Sequence, residues 1–306
     1  MNKFIILGCG YLGTNISNYI SKIDDTQVYV LGIENEYNDY LEKNIIFIPK
    51  MIEQISEEDL EMFEDSIVID AVGNINATND SKNSTTVFLN NCASKVNLIQ
   101  KLNKLKIKKY VFLSSGGTVY NDSDVPHIED ESLNPVNVYA LEKVIIEDYL
   151  KIFGMENNGF SYLILRLSNP YGGIVSKTKK QGIIDVSIRK LKNKEEMDFF
   201  GEIDNIRDYI YVENVAEYIY KISILNYCNS IYNIGSGKGT SIRRIFDILE
   251  KEYNGKINLK IRSSDTVNIK TNILNVNKIR NIIKIDKIYD IEEGISLIKK
   301  TIHKWG

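Results

Sequence analysis

The segment Gly8-Cys9-Gly10-Tyr11-Leu12-Gly13 follows directly on an apolar run at 3–7 and opens a run of helical periodicity at 11–23. Three glycines at that spacing meet a narrow set of demands. The first lets the chain turn tightly, the second lets backbone approach a pyrophosphate, and the third lets helix and strand pack closely. The first amides of the helix have no partner within it and sit at the positive end of its dipole, so they favour an anion. This turn predicts a dinucleotide site at the head of a β-α-β unit. About 20 residues further on, a second strand should end in an acid that holds the adenosine ribose. The sequence there is Val30-Leu31-Gly32-Ile33-Glu34-Asn35-Glu36. Spacing points to Gly32 and chemistry to Glu34, and both stay open. No Arg or Lys in the segment could pair a 2′-phosphate, and Glu34, Glu36 and Asp39 would repel one. NAD is expected rather than NADP.

The rhythm set by this turn continues. Apolar runs at 27–33, 45–49, 66–72, 109–114 and 161–167 read as strands, and amphipathic stretches at 87–105 and 135–153 read as helices. Near-continuous apolar strands are what a parallel sheet covered on both faces requires. After Gly182 the alternation loosens without a Pro/Gly/Ser linker. The expected fold is therefore α/β: a Rossmann-type doubly wound parallel sheet with a smaller, interleaved C-terminal α/β domain. Residues 1–168 would form the first domain, with part of 206–235 returning to it, and 169–306 mainly the second.

Composition narrows the partners. A net charge of −3 gives no electrostatic case for nucleic acid, and the densest basic runs, 104–109 and 177–180, read as solvated faces or loops. The acidic stretch 57–64 reads as a solvated helix face, and His127 and His303 as loop and tail residues. Cys9, Cys92 and Cys228 are odd in number and lack C-x-x-C spacing, which argues against a disulfide framework or a zinc site. Ile6-Leu7-Gly8-Cys9 has the form of a lipoprotein box, but the apolar run before it is shorter than the roughly 7–15 residues of a signal peptide. No run approaches the ~20 apolar residues of a membrane helix. A cytoplasmic protein without metal is expected.

The segment 110–150 carries the chemistry. Ser114-Ser115-Gly116-Gly117-Thr118-Val119-Tyr120 closes a strand, and Tyr139-Ala140-Leu141-Glu142-Lys143 follows on a helix. Residues 139 and 143 stand one turn apart on the same face. A phenol, with its pKa near 10, is a poor base at neutral pH, and a neighbouring ammonium favours its ionised form.

With these residues in place, the chain resembles the extended short-chain dehydrogenase/reductase family, in its NAD-dependent sugar-nucleotide epimerase/dehydratase branch. Arg166-Leu167-Ser168-Asn169-Pro170-Tyr171-Gly172 is similar to the family's R-x-x-N-x-Y-G element. Arg207-Asp208-Tyr209-Ile210-Tyr211-Val212-Glu213-Asn214-Val215-Ala216 is similar to its R-D-Y-I-Y-V-D-D-V-A element, followed by Tyr232-Asn233-Ile234-Gly235-Ser236-Gly237. Arg262 with Asp265 resembles the late arginine motif, and Asn91 falls where the family keeps a structural asparagine.

The resemblance implies that Tyr139 takes a proton from a sugar hydroxyl as hydride passes to NAD, while Lys143 holds the nicotinamide ribose and lowers the tyrosine pKa. Gly8, Gly10, Tyr11, Leu12, Gly13, Glu34 and Lys143 would bind cofactor. Asn169, Arg207 and Arg262 would grip the diphosphate of a UDP-sugar or other nucleotide-sugar. A UDP-hexose 4-epimerase-like activity follows, in a homodimer joined through helices 87–105 and 135–153, of the kind that serves polysaccharide biosynthesis. The alternatives are a reductase of a nucleotide-linked keto-sugar and a non-catalytic NAD-binding sensor. The chain departs from the family in three places. Residue 7 of the glycine turn is Leu, strand four ends Asp70-Ala71-Val72-Gly73-Asn74, and Gly116 stands where many members carry the active hydroxyl. Thr118 or Ser115 must then supply that hydroxyl. The absence of a carboxylate in Gly116-Gly117-Thr118 disfavours dehydration.

Overall fold

The computed structural model of the chain describes residues 1–73, 84–156, 161–177, 179, 181–262 and 269–301. Asn74, Asp265 and His303, named above, lie outside the described residues. The first half runs β1 (Asn2–Leu7), α1 (Tyr11–Ile20), β2 (Thr26–Leu31), β3 (Ile46–Ile48), β4 (Ser66–Asp70), α2 (Ser84–Leu102), β5 (Lys109–Ser115), α3 (Gly116–Val119), α4 (Val138–Glu156) and β6 (Tyr162–Leu167). The second half runs β7 (Asn169–Tyr171), α5 (Ile183–Asn193), β8 (Met197–Phe200), β9 (Ile206–Tyr211), α6 (Val212–Ile224), β10 (Ser230–Ile234), β11 (Gly239–Ser241), α7 (Ile242–Tyr253), β12 (Leu259–Arg262), β13 (Thr271–Asn272), α8 (Asn277–Arg280) and α9 (Ile291–Thr301).

Seven strands form one parallel sheet in the order β10-β6-β5-β4-β1-β2-β3. The order reverses between β1 and β4, and a ligand crevice opens beyond the carboxyl ends of strands at such a point. Successive residues of β1 feed opposite faces. Phe4 and Ile6 pack with Ile16 and Ile20 of α1 and Val215 and Ile219 of α6. Ile5 and Leu7 pack with Leu98, Ile99 and Leu102 of α2 and Ile146 and Leu150 of α4. Each such side chain contributes about 1.5–3 kcal/mol by leaving water, so the sheet is held from both sides.

Element ends differ from the sequence reading for local reasons. The second strand stops at Leu31 because Gly32 lies on the glycine turn, where a Cβ would stand 2.7 Å from the Cys9 amide nitrogen. Helix α1 stops at Ile20, where the Thr26 hydroxyl donates to the Ile20 and Ile23 carbonyls. Helix α4 begins at Val138 rather than at 135, because the Asn137 side chain accepts the Ala140 amide at 2.8 Å and caps the first turn. Within the stretch 57–64, Glu58–Phe63 forms a short 3-10 helix whose Asp59 pairs with Lys50 at 2.5 Å.

The second half builds smaller sheets. Strand β9 pairs with β11 antiparallel and with β7 and β13 parallel, while β8 and β12 form a separate ribbon. Tyr171, Tyr209 and Tyr211 form a core there with Ile184, Ile188, Ile245, Leu249, Ile295 and Ile298. The chain then returns: α6 lies on the α1 side of the large sheet, and β10 extends that sheet beyond β6. The Asp208 carboxylate, buried on β9, accepts the Ser236 and Gly237 amides at 2.9 and 3.0 Å and so ties β9 to the turn after β10.

Three side chains read as solvated or loop residues are structural instead. Lys109 is buried and its ammonium donates to the Ser223 and Leu225 carbonyls at the end of α6, at 3.1 and 2.6 Å. Lys179 pairs with Asp185 at 2.6 Å and lies 3.3 Å from the centroid of the Tyr11 ring. His127 is buried, stacked on Tyr120 at 4.6 Å and bonded to Glu131. The three thiols are free. Among the described residues no helix is long and apolar enough to cross a membrane, and no cluster of His, Cys, Asp or Glu could hold a metal ion.

Candidate active site

The glycine turn sits at the reversal point of the large sheet. Gly8 has φ +98°, a region costly for other residues. A Cβ on Gly13 would stand 1.8 Å from the Gly8 carbonyl oxygen, so nothing larger than hydrogen fits. Gly10 precedes α1 with no side-chain cap, and the Thr14 amide makes the first bond back into the helix, to the Gly10 carbonyl. The amides of Tyr11, Leu12 and Gly13 are therefore free of helical acceptors. This cradle fits a pyrophosphate. The Tyr11 side chain serves a second purpose: its hydroxyl donates to the Gly172 carbonyl at 2.9 Å. Asn15 bonds Ile174 in both directions, which fastens the segment after β7 to α1.

At the end of β2 the two residues left open by the sequence differ in their surroundings. Gly32 has no room for a side chain, and Glu34 is exposed. It is Asn35 that folds back on the turn, donating to the Cys9 carbonyl at 2.9 Å. Glu36 bonds the Ser176 hydroxyl across the crevice.

Ser115, Thr118, Tyr139 and Lys143 gather where β5 ends. Thr118 donates to the Ser115 hydroxyl at 2.9 Å, and Ser115 in turn hydrogen-bonds Tyr139. The two hydroxyls left open by the sequence thus form one chain, with Ser115 next to the phenol and Thr118 behind it. Gly116 cannot take their place, because its Cβ would point at Leu274, 2.6 Å from a methyl carbon. Lys143 is buried, its ammonium 5.5 Å from the Tyr139 ring centroid and 4.9 Å from that of Phe112. Burial raises the Tyr139 pKa and Glu142 raises it further, while the Ser115 bond and the Lys95 ammonium oppose them. Burial wins in the protein alone, so the expected lowering by a neighbouring ammonium is not the net result.

Other polar residues near this turn are committed to structure. Arg166 is buried, forks onto Glu147 at 2.7 to 3.2 Å and donates to the Tyr120 hydroxyl at 2.7 Å. Ser114 also bonds Glu147, at 2.5 Å, and Tyr120 donates to Asn233, which leaves Tyr120 a packing role. Asn91 donates to Glu142 at 2.9 Å and so joins α2 to α4.

Sequence reasoning noted Asp70 only as a departure from the family and missed its partner. Asp70, at the end of β4, and Lys95, on α2, form an ion pair at 2.6 Å with both side chains buried. Its signal was available: Lys95 precedes Leu98, Ile99 and Leu102 at helical spacing on the buried face.

The three residues expected to hold substrate are not gathered alike. Asn169 borders the turn at 115–118, its amide oxygen 3.5 Å from where a Gly117 Cβ would stand, and it donates to the Asp208 carbonyl at 2.8 Å. Arg207 lies on the neighbouring strand with its guanidinium on the Ile206, Ile269 and Lys270 carbonyls, at 2.8, 2.6 and 3.3 Å. Arg262 stands on the β8/β12 ribbon, exposed and paired with Asp198 at 2.7 Å.

Comparison with known proteins identifies the family. Residues 4–235 match the sequence model of the NAD dependent epimerase/dehydratase family. A Methanocaldococcus jannaschii protein described as a putative UDP-glucose 4-epimerase is 29% identical over 250 residues, covering 80% of each chain. An Escherichia coli dTDP-4-dehydro-6-deoxyglucose reductase is 32% identical over 221 residues, covering 72% of this chain and 70% of that one. The UDP-glucose 4-epimerase of Thermotoga maritima, solved with UDP-glucose, superposes with a TM-score of 0.86 at 23% identity, over 98% of this chain and 99% of that one. The Thermus thermophilus UDP-glucose 4-epimerase, solved with NAD, gives 0.87 at 19% identity, over 98% and 99%. At these identities the two structures speak to the fold.

Proposed function

The chain belongs to the NAD-dependent epimerase/dehydratase family, and on that premise we propose that it inverts C4 of a nucleotide-linked hexose, such as a UDP-sugar, by way of a transient keto-sugar. The observation that carries this reading is the chain Thr118–Ser115–Tyr139, with Lys143 over the phenol, set beside the glycine cradle. Bound in the glycine cradle, NAD would supply the reversible hydride acceptor for C4. Tyr139 takes the proton of the C4 hydroxyl and returns it after the sugar has turned over. Ser115 steadies the phenol oxygen, and Thr118 orients Ser115. Lys143 holds the nicotinamide ribose, and its charge, with that of an oxidised nicotinamide, opposes the burial that raises the phenol pKa. Gly8, Gly10 and Gly13, with the amides of Tyr11 and Leu12, take the pyrophosphate. Asn169, Arg207 and Arg262 take the nucleotide diphosphate, the arginines leaving their present acceptors to do so. Residues 1–168, with the returning β10, form the cofactor domain, and 169–306 mainly the substrate domain.

The test is incubation of purified protein with UDP-glucose, UDP-galactose and their N-acetyl forms, with and without NAD or NADPH. Epimers interconverting without net change in nicotinamide absorbance support the proposal. The likeness to the Escherichia coli reductase favours a second reading, reduction of a nucleotide-linked keto-sugar; stoichiometric consumption of reduced cofactor in the same assay selects it. Exposed Val138, Leu141, Ile145, Ile152 and Met155, at helical spacing along α4, offer an apolar face suited to a second copy of the chain. We place the protein as a homodimer in the cytoplasm, supplying sugars for polysaccharide synthesis.

A further inference from the structure

Lys143 shares its surroundings with a second buried ammonium. Lys95 also lies over the Phe112 ring, 5.5 Å from its centroid, and Phe112 pairs across the sheet with Asp70. A carboxylate has about four lone-pair sites, and those of Asp70 are filled. Lys95 donates to both oxygens at 2.8 and 2.6 Å, the Tyr110 hydroxyl to one at 2.8 Å and the Val72 amide to the other at 3.0 Å. Burial pushes the Asp70 carboxyl up, but Lys95 and Lys143 together hold it below its ordinary value. Asp70 therefore feels the Lys143 charge while making no bond to it.

We propose that Lys95 is a positioning residue: by saturating Asp70 it keeps the Lys143 ammonium off that carboxylate and over Tyr139. This rests on the reading of Tyr139 and Lys143 as the catalytic pair. Without Lys95, a buried carboxylate would be left uncompensated, with Lys143 the cation in reach. The ammonium would move towards β4 and away from the phenol. The other groups that face this cluster are Tyr110 from β5, Cys92 from α2, and Glu142 and Tyr139 from α4.

The test compares Lys95→Met, Lys95→Arg and the double variant Lys95→Met with Asp70→Asn. Carbon-13 NMR follows the titrations of Lys143, assigned through Lys143→Arg, and of Tyr139, assigned through Tyr139→Phe. In Lys95→Met both titrations move to higher pH, because Lys143 gains a carboxylate and Tyr139 loses the Lys95 charge together with the neighbouring Lys143 ammonium, and kcat falls by ~10²-fold. In the double variant, with the carboxylate gone, the Tyr139 titration returns towards wild type and kcat recovers to within about tenfold. Lys95→Arg keeps the pair and the wild-type titrations. Equal kcat per folded molecule in Lys95→Met and the double variant, or a Lys143 titration that does not move in Lys95→Met, overturns the proposal. If Lys95→Met does not fold, the other two variants decide, and a raised Lys143 titration in either is fatal. The titrations need no substrate, so a protein inert toward every nucleotide sugar would sink the functional reading and leave this test standing.

Discussion

The crevice at the head of the large sheet and the surface of the smaller sheets are built by opposite means. In the crevice, the residues proposed to bind cofactor and carry the reaction lie close in sequence within each group. The glycines share one turn, Ser115 and Thr118 share another, and Tyr139 and Lys143 are one helical turn apart. Backbone geometry alone brings such groups together. On the smaller sheets, Asn169, Arg207 and Arg262 come from three strands, and each arginine is already bonded to a carbonyl or an acid of its own. The lesson is that short spacing fixes chemistry in advance, whereas groups assembled from distant strands can wait for a ligand to recruit them.

The comparison can be broken by substitution. Tyr139→Phe should lower kcat by ~10³-fold, within the range of a lost acid–base group, yet leave bound NAD and Tm near wild type. A collapse of Tm instead would make the tyrosine structural and empty the crevice of chemistry. Gly13→Ala should weaken NAD binding by ~10²-fold, because overpacking costs about 1–3 kcal/mol or more; calorimetry of NAD binding reads it. Ser115→Ala should cost about 30-fold in kcat and Thr118→Val about tenfold, since one bonds the phenol and the other only its partner. Ser115→Ala also carries a pH signature. The Ser115 bond lowers the phenol pKa, so its loss raises that pKa and shrinks the ionised fraction at any pH below it. The acid limb of kcat/KM then moves to higher pH. An unmoved limb would detach Ser115 from the phenol.

The smallest effects belong to the second surface. Arg207→Ala should raise KM about tenfold with little change in kcat, as expected for a charged hydrogen bond. Arg262→Ala should raise it only about threefold, because an exposed pair with Asp198 must be given up first. If Arg262→Ala were to lower kcat as far as Ser115→Ala does, the two regions would not differ in the way described.

How much was legible follows from the same contrast. The glycine turn and the Tyr139-Lys143 pair could be read because their spacing is local, and the parallel strands because both faces are apolar. Where long side chains reach across elements, the sequence misled. Lys109 and Lys179 sit in basic runs that look solvated, yet their flexible stems carry the ammoniums to buried carbonyls, a carboxylate and an aromatic face. Asp70 and Lys95 looked unrelated because each is intelligible only through the other. The ribose end was only half legible: spacing and chemistry named two residues, and packing against Cys9 explains why position 32 is a glycine.

The placement of β10 has a consequence in time. Ribosomes deliver chains from the N-terminus at roughly 5–20 residues per second. Strand β6 emerges complete at Leu167, but the strand that covers its outer edge begins only at Ser230. Through that interval Leu163, Leu165 and the backbone groups between them present an open edge, the kind on which chains stick to one another. The nascent protein therefore passes through a vulnerable period that ends with a segment of its second half, and a chain truncated before residue 230 would never leave it.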